Sequence, residues 1–148
     1  IRTPMQWTPQ RNGGFTTGTP YTALQPGWED TNVATQTGDP GSLLSTYRAW
    51  SQARELHPAL RTGTFELLES DDTSILAFVR QSEDETLIVL INPGSDPTDE
   101  LTFTAPAGIT GPTTDIFTGE PGVTINDDGT FTLPPIDARS GTILEVAN

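Results

Sequence analysis

From Thr64 to its end the chain is written in short apolar or alternating runs, each cut off by turn-forming residues after a few positions. The runs are Thr64–Glu69, Ile75–Val79, Leu87–Ile91, Leu101–Phe103, Asp115–Phe117, Val123–Ile125, Gly129–Leu133 and Thr142–Val146. Ser82-Glu83-Asp84-Glu85 and Asn126-Asp127-Asp128-Gly129 read as hairpin turns between neighbours. None is long enough for a buried helix, and threonine and β-branched residues favour extended backbone. Short strands at this spacing need a second sheet to bury their apolar faces. The expected fold is therefore mainly β: an antiparallel Greek-key β-sandwich of about eight strands.

The first third of the chain follows different rules. Pro4, Pro9, Pro20 and Pro26, with Gly13, Gly14, Gly18 and Gly27, interrupt every candidate element before residue 38. One long helix is expected at 40–56, with Asp39 as N-cap and Pro40 in the first turn. Leu43, Tyr47, Trp50 and Arg54 recur at helical spacing, with Leu44 beside them, and Pro58 stops the run. The apolar residues wrap more than one side, which predicts burial between two partners. Charge divides in the same place: residues 1–65 hold five arginines and four acids, residues 66–148 two arginines and sixteen acids. All tryptophans and tyrosines precede residue 51. A boundary is expected near Arg61-Thr62-Gly63, with an irregular N-terminal part, 1–62, and a sandwich, 63–148.

Composition removes several classes of chemistry. There is no cysteine, a single histidine (His57) and no lysine among 148 residues. Disulfide scaffolds, thiol catalysis, His-rich metal sites, P-loop lysines and Schiff bases all go with them. A net charge of −13 repels phosphate backbones and anionic membranes. No nucleic-acid or membrane partner, no cofactor and no metal is expected. No signal peptide is visible at the start, and a bacterial cytoplasmic setting is expected ahead of a secreted one.

The strongest local pattern is Arg2-Thr3-Pro4-Met5-Gln6-Trp7, followed by Asn12-Gly13-Gly14-Phe15-Thr16. Arginine and amide groups bind hydroxyls, and an indole covers the apolar face of a pyranose. These motifs, with Thr31-Asn32-Val33, Asp39-Pro40-Gly41-Ser42-Leu43-Leu44 and Arg54-Glu55-Leu56-His57-Pro58-Ala59-Leu60, resemble glycoside hydrolase family 13 in family order. Its oligo-1,6-glucosidase, α-glucosidase and trehalose synthase branch is the nearest in pattern. The resemblance implies a (β/α)₈ catalytic barrel of which 1–62 is the end, 40–56 being the last helix, and a C-terminal sandwich at 63–148. It also implies that the nucleophile, the acid/base and the third carboxylate lie upstream of Ile1. Arg2 is the first candidate for the substrate-facing rim; Gln6, Trp7 and Asn12 follow. Where the family usually has alanine this chain has Gly13, a departure expected to loosen the loop without breaking the pattern.

The acids in the chain do not replace the implied set. Retaining hydrolysis needs two carboxyls roughly 5–5.5 Å apart in unlike environments. Glu29/Asp30, Asp71/Asp72 and Asp127/Asp128 are sequence neighbours, most of them in solvent turns. His57 reads as a capping or packing residue, and Asp127-Asp128-Gly129 as a turn, lacking calcium-loop spacing. The expected function is an accessory portion of an α-amylase-family glycosidase, without turnover alone. Its expected partners are the barrel domain, or a second copy through helix 40–56, and an α-glucan in the intact enzyme. The alternative is a stand-alone carbohydrate-binding or subunit-interaction sandwich. The absence of Trp and Tyr after residue 63 speaks against the carbohydrate-binding form.

Overall fold

A computed structural model describes residues 2–68 and 74–147. Glu69, at the end of the first expected strand, and the Asp71/Asp72 pair lie outside the described residues. The chain divides into two compact units, 1–52 and 53–148.

The first unit is built from loops and helical turns. A 3₁₀ turn spans Arg11–Gly14 and a one-turn helix, α1, spans Val33–Gln36. Asn32 caps α1 by accepting from the Thr35 N–H at 3.0 Å, while the Thr35 hydroxyl accepts from the Asn32 N–H at 3.2 Å. This reciprocal pair satisfies two donors that a short helix would otherwise leave unpaired. The buried Asn32 amide also donates to Trp28 O and Glu29 O, each at 3.1 Å.

The long helix, α2, spans Leu43–Leu56, which is 14 residues, and crosses the division between the units. The expected start at Pro40 is corrected by three residues. Ser42, not Asp39, is the cap: its Oγ accepts from the Ser45 N–H at 3.2 Å, and its carbonyl accepts the first helical bond, from Thr46 N, at 3.0 Å. Asp39 instead folds the preceding turn, accepting from Gly41 N through Oδ1 at 2.9 Å and from Ser42 N through its carbonyl at 3.2 Å. The Leu44 N–H is taken by Gln36 Oε1 at 2.9 Å. Replacing Ser42 by alanine is expected to cost about 1 kcal/mol of helix stability. Asp39→Ala should cost less, because it leaves the helix N–H groups paired; circular dichroism on thermal unfolding checks the order.

Among its described residues the second unit carries the end of α2, a five-residue helix α3 (Pro58–Thr62) and eight strands. These are β1 Thr64–Leu67, β2 Leu76–Gln81, β3 Thr86–Asn92, β4 Leu101–Thr104, β5 Gly111–Asp115, β6 Pro121–Ile125, β7 Thr130–Leu133 and β8 Ser140–Val146. Six form one sheet in the order β1-β2-β3-β8-β5-β6, and β4 pairs with β7 in a second. All pairings are antiparallel. The chain leaves the large sheet for β4 and again for β7, so β3/β8, β8/β5 and β4/β7 become neighbours out of sequence order. These are the crossings of a Greek-key sandwich, as the sequence predicts.

Register explains the core. Val79, Ile88 and Leu144 lie side by side across β2, β3 and β8. With Ala77, Leu90 and Val146 they meet Leu101, Phe103, Phe131 and Leu133 from the small sheet. Phe103 and Phe131 are paired in register and stacked, with ring centres 5.6 Å apart. Between them Thr102 and Thr132 point outward and share a hydroxyl contact of 3.1 Å. Strand β3 breaks the alternation because both of its faces are covered: Leu87 and Val89, on the face away from the small sheet, are also buried. Ala59 and Leu60 of α3, which packs on β2 and β3, are buried as well. Gly63 admits this approach, since a side chain there would meet Ala59 O at 2.6 Å and Gln81 O at 2.7 Å.

One strand differs from expectation. The fifth strand is Gly111–Asp115, not Asp115–Phe117. Pro112 hid it, yet that residue stands one position before the β5–β8 ladder begins at Thr113, so its missing N–H costs no ladder bond there. Asp115 ends the strand by accepting from Phe117 N at 2.8 Å and Thr118 N at 3.0 Å. The apolar residues of α2 are not uniformly covered, as expected of a helix with a second face meant for a partner. Leu43 is 77% exposed and Tyr47 71%, one turn apart, whereas Trp50 and Leu44 are half-buried and Ala53 is buried.

Candidate functional site

The candidate rim residues belong to the first unit, where backbone bonds and the Asn12 side chain together hold residues 6–18 in a closed loop. Gly13 O accepts from Trp7 N at 2.7 Å and from Thr8 N at 3.0 Å. Asn12, at φ 58, and Gly13, at φ 64, take left-handed conformations that turn this carbonyl inward. A Cβ at Gly13 would lie 2.6 Å from Leu24 Cδ2. The glycine therefore fits a buried, positive-φ position, and the expectation that it loosens the loop is not what the geometry gives. On the other side, Gln6 O and Trp7 O each accept at 2.9 Å, from Val33 N and Ala34 N at the start of α1.

This framework brings Gln6, Trp7 and Asn12 into one loop. Trp7 is half exposed, at 49%, and its indole is available for a ligand face. Gln6 lines a shallow cavity of about 250 Å³ with Thr3, Pro4, Met5 and Asn32. The Asn12 amide is already engaged, donating to Thr16 O at 2.9 Å and to Gly18 O at 2.7 Å. Arg2 is exposed and makes no hydrogen bond or ion pair among the described residues. The resulting surface offers a cation, an amide and an indole, and no carboxylate comes from the motif itself.

His57, Glu85 and Asp128 serve the fold. His57 Nδ1 lies 2.5 Å from Glu85 Oε1, and Glu85 Oε2 accepts from Ala59 N at 3.0 Å. A carboxylate from the β2–β3 hairpin therefore caps α3, which its own N-cap residue, His57, does not do with its side chain. Nothing in local sequence signals this pairing, because the partners are 26 and 28 positions apart. Asp128 accepts from the Thr130 hydroxyl at 2.6 Å and the Thr130 N–H at 2.9 Å. The Thr130 hydroxyl, then its N–H, hold the Asp128 carboxyl below the usual carboxylate range. Its contribution to the turn is present above the unfolded-state value and fades as pH falls through the lower folded value. This is turn chemistry, and no group of three or more His, Cys, Asp or Glu among the described residues could hold a metal ion.

A larger cleft, of about 540 Å³, opens in the sandwich between the β5–β6 turn and the segment joining β7 to β8. Its apolar floor includes Val123, Leu133, Ile136 and Leu144, with Glu120 and Asp137 at its exposed rim. It contains no aromatic side chain to stack on a sugar ring.

Comparison with known proteins divides the chain near residue 64, whereas the compact units divide after residue 52. Residues 1–63 match the model of the α-amylase catalytic domain, and residues 65–139 match that of the maltogenic amylase C-terminal domain. The chain belongs to the α-amylase family, glycoside hydrolase family 13. Within this family it is 33% identical over 146 residues to an oligo-1,6-glucosidase of Halalkalibacterium halodurans, a match covering 93% of this chain and 24% of the relative. An α-glucosidase of Schizosaccharomyces pombe is 41% identical over 97 residues, covering 62% of this chain and 16% of that protein. Among solved structures, the trehalulose synthase of Pseudomonas mesoacidophila superposes with a TM-score of 0.71 at 30% identity, over 99% of this chain and 25% of the synthase. This family-13 chain thus spans about a quarter of the length of these full-chain matches and corresponds to their C-terminal region.

Proposed function

We propose that the chain works as the C-terminal portion of an α-glucan-processing glycosidase, supplying a rim loop and an accessory sandwich to a catalytic barrel. The observation that carries this is the order of the two family matches, catalytic-domain end first and C-terminal domain second. In this reading Arg2 donates to sugar hydroxyls at an outer subsite, Trp7 offers an apolar face, Gln6 assists, and Asn12 keeps the loop closed. The exposed Leu43 and Tyr47 on α2 are the surface the barrel covers. Covering each stabilises the assembly by about 1.5–3 kcal/mol.

The test is to produce the chain together with a family-13 catalytic barrel lacking this region and to assay maltose and isomaltose. Cleavage only when both are present is expected. Arg2→Ala in the pair should raise KM more than it lowers kcat, since the arginine binds outside the reacting bond. Sedimentation of the chain alone reads the competing outcome, a homodimer through the same helix face. A dimer unaffected by the barrel, with no recovered activity, would overturn the proposal.

A further inference from the structure

Asn12 is followed by Gly13, and this pair carries a chemistry that the loop holds in check. A glycine leaves its backbone nitrogen open to close approach, because no side chain shields it. That nitrogen can attack the carbonyl carbon of the preceding asparagine side chain. The Gly13 N–Asn12 Cγ bond forms, the Cγ–Nδ2 bond breaks, and ammonia leaves with the amide proton. Water then opens the cyclic imide to aspartate or isoaspartate.

In the folded loop both reacting groups are occupied. The Asn12 Nδ2 leaving group donates to Thr16 O and Gly18 O at 2.9 and 2.7 Å. The Gly13 N–H donates to Gln10 O at 2.8 Å. Gly13 is buried, and its carbonyl holds the Trp7 and Thr8 N–H groups. We propose that Asn12 is a latent modification site, protected while residues 6–18 stay closed and converted by deamidation when they open.

The conversion is one-way in structure as well as in chemistry. A carboxylate formed there has no N–H to give and would face two carbonyl oxygens that lose their donors. The loop that presents Trp7 then cannot re-close as before. This concerns the loop alone and does not depend on the role proposed for the chain.

Peptide mapping by mass spectrometry, after incubation in mildly alkaline buffer with and without urea, tests the protection. Deamidation at Asn12 in the native chain is expected to be about tenfold slower or more than in the unfolded chain, because it requires a local opening. Equal rates would overturn the proposal. Asn12→Asp tests the structural consequence: the Trp7 and Thr8 amides should exchange with solvent about tenfold faster or more than in the parent chain. Unchanged exchange at those two amides would overturn the one-way release.

Discussion

Replacing Phe103 by alanine is expected to destabilise the sandwich by about 3–5 kcal/mol, the range for deleting a buried aromatic ring. Phe103 is 1% exposed and stacks on Phe131, itself 1% exposed, at the centre of the two-stranded sheet. The ring also touches the part of the core where both sheets meet. Urea unfolding followed by far-UV circular dichroism measures the loss. Thr102→Ala on the adjacent outward position is the control. It removes one exposed hydroxyl contact and should cost no more than about 0.5–1 kcal/mol. Similar losses at the two positions would mean that the inward and outward faces of β4 are misassigned.

Asn92→Ala is expected to cost about 2–4 kcal/mol, through hydrogen bonds and not through volume. The side chain ends β3 at 1% exposure. Its Nδ2 faces Asp96 O, Ile136 O and Asp137 O at 2.9–3.1 Å, and its Oδ1 accepts from Gly94 N at 2.9 Å. One amide therefore ties the loop after β3 to the segment that leads into β8, more than 40 residues away. Removing it takes the donor from Asp96 O and Asp137 O and the acceptor from Gly94 N, while Ile136 O keeps the Thr98 N–H. Asn92→Asp separates hydrogen bonding from shape, since the size is kept while the donors become acceptors. Burial against three carbonyls disfavours the charged form, so the folded-state pKa of the introduced carboxyl is raised. The variant should be least stable at neutral pH and should recover part of the loss in acid, where the carboxyl is protonated. Equal stability of the aspartate variant and the parent at neutral pH would contradict the assigned network.

The sandwich was legible because its signals are local. Alternation in Leu101–Thr104 and Thr130–Leu133, and the turn at Asn126–Gly129, each lie within one window of sequence. What escaped depends on partners far along the chain or on competition between adequate candidates. Asp39 and Ser42 are both good caps, and the choice went to the serine because Asp39 is used by the turn before it. Glu85 looks like one more acid in a hairpin loop until the fold brings it to α3. Pro112 concealed β5 because it sits within the β5–β6 pairing, opposite Thr124, but one position outside the β5–β8 ladder, which periodicity alone does not reveal. The rim motif could be read as a group, yet its division of labour could not. Only coordinates separate the occupied amide of Asn12 from the exposed indole of Trp7.

The family places this chain beside enzymes about four times its length, and within its described residues the carboxylates serve turns, caps and surface. Glu85 caps α3, Asp115 and Asp128 organise turns, and Asp39 folds the entry to α2. In the proposed role, bond cleavage belongs to a barrel that these residues support. Incubating the purified chain alone with a chromogenic α-glucoside tests this most directly. No release above the buffer blank is expected. Steady turnover that disappears on substituting a carboxylate of this chain would contradict it.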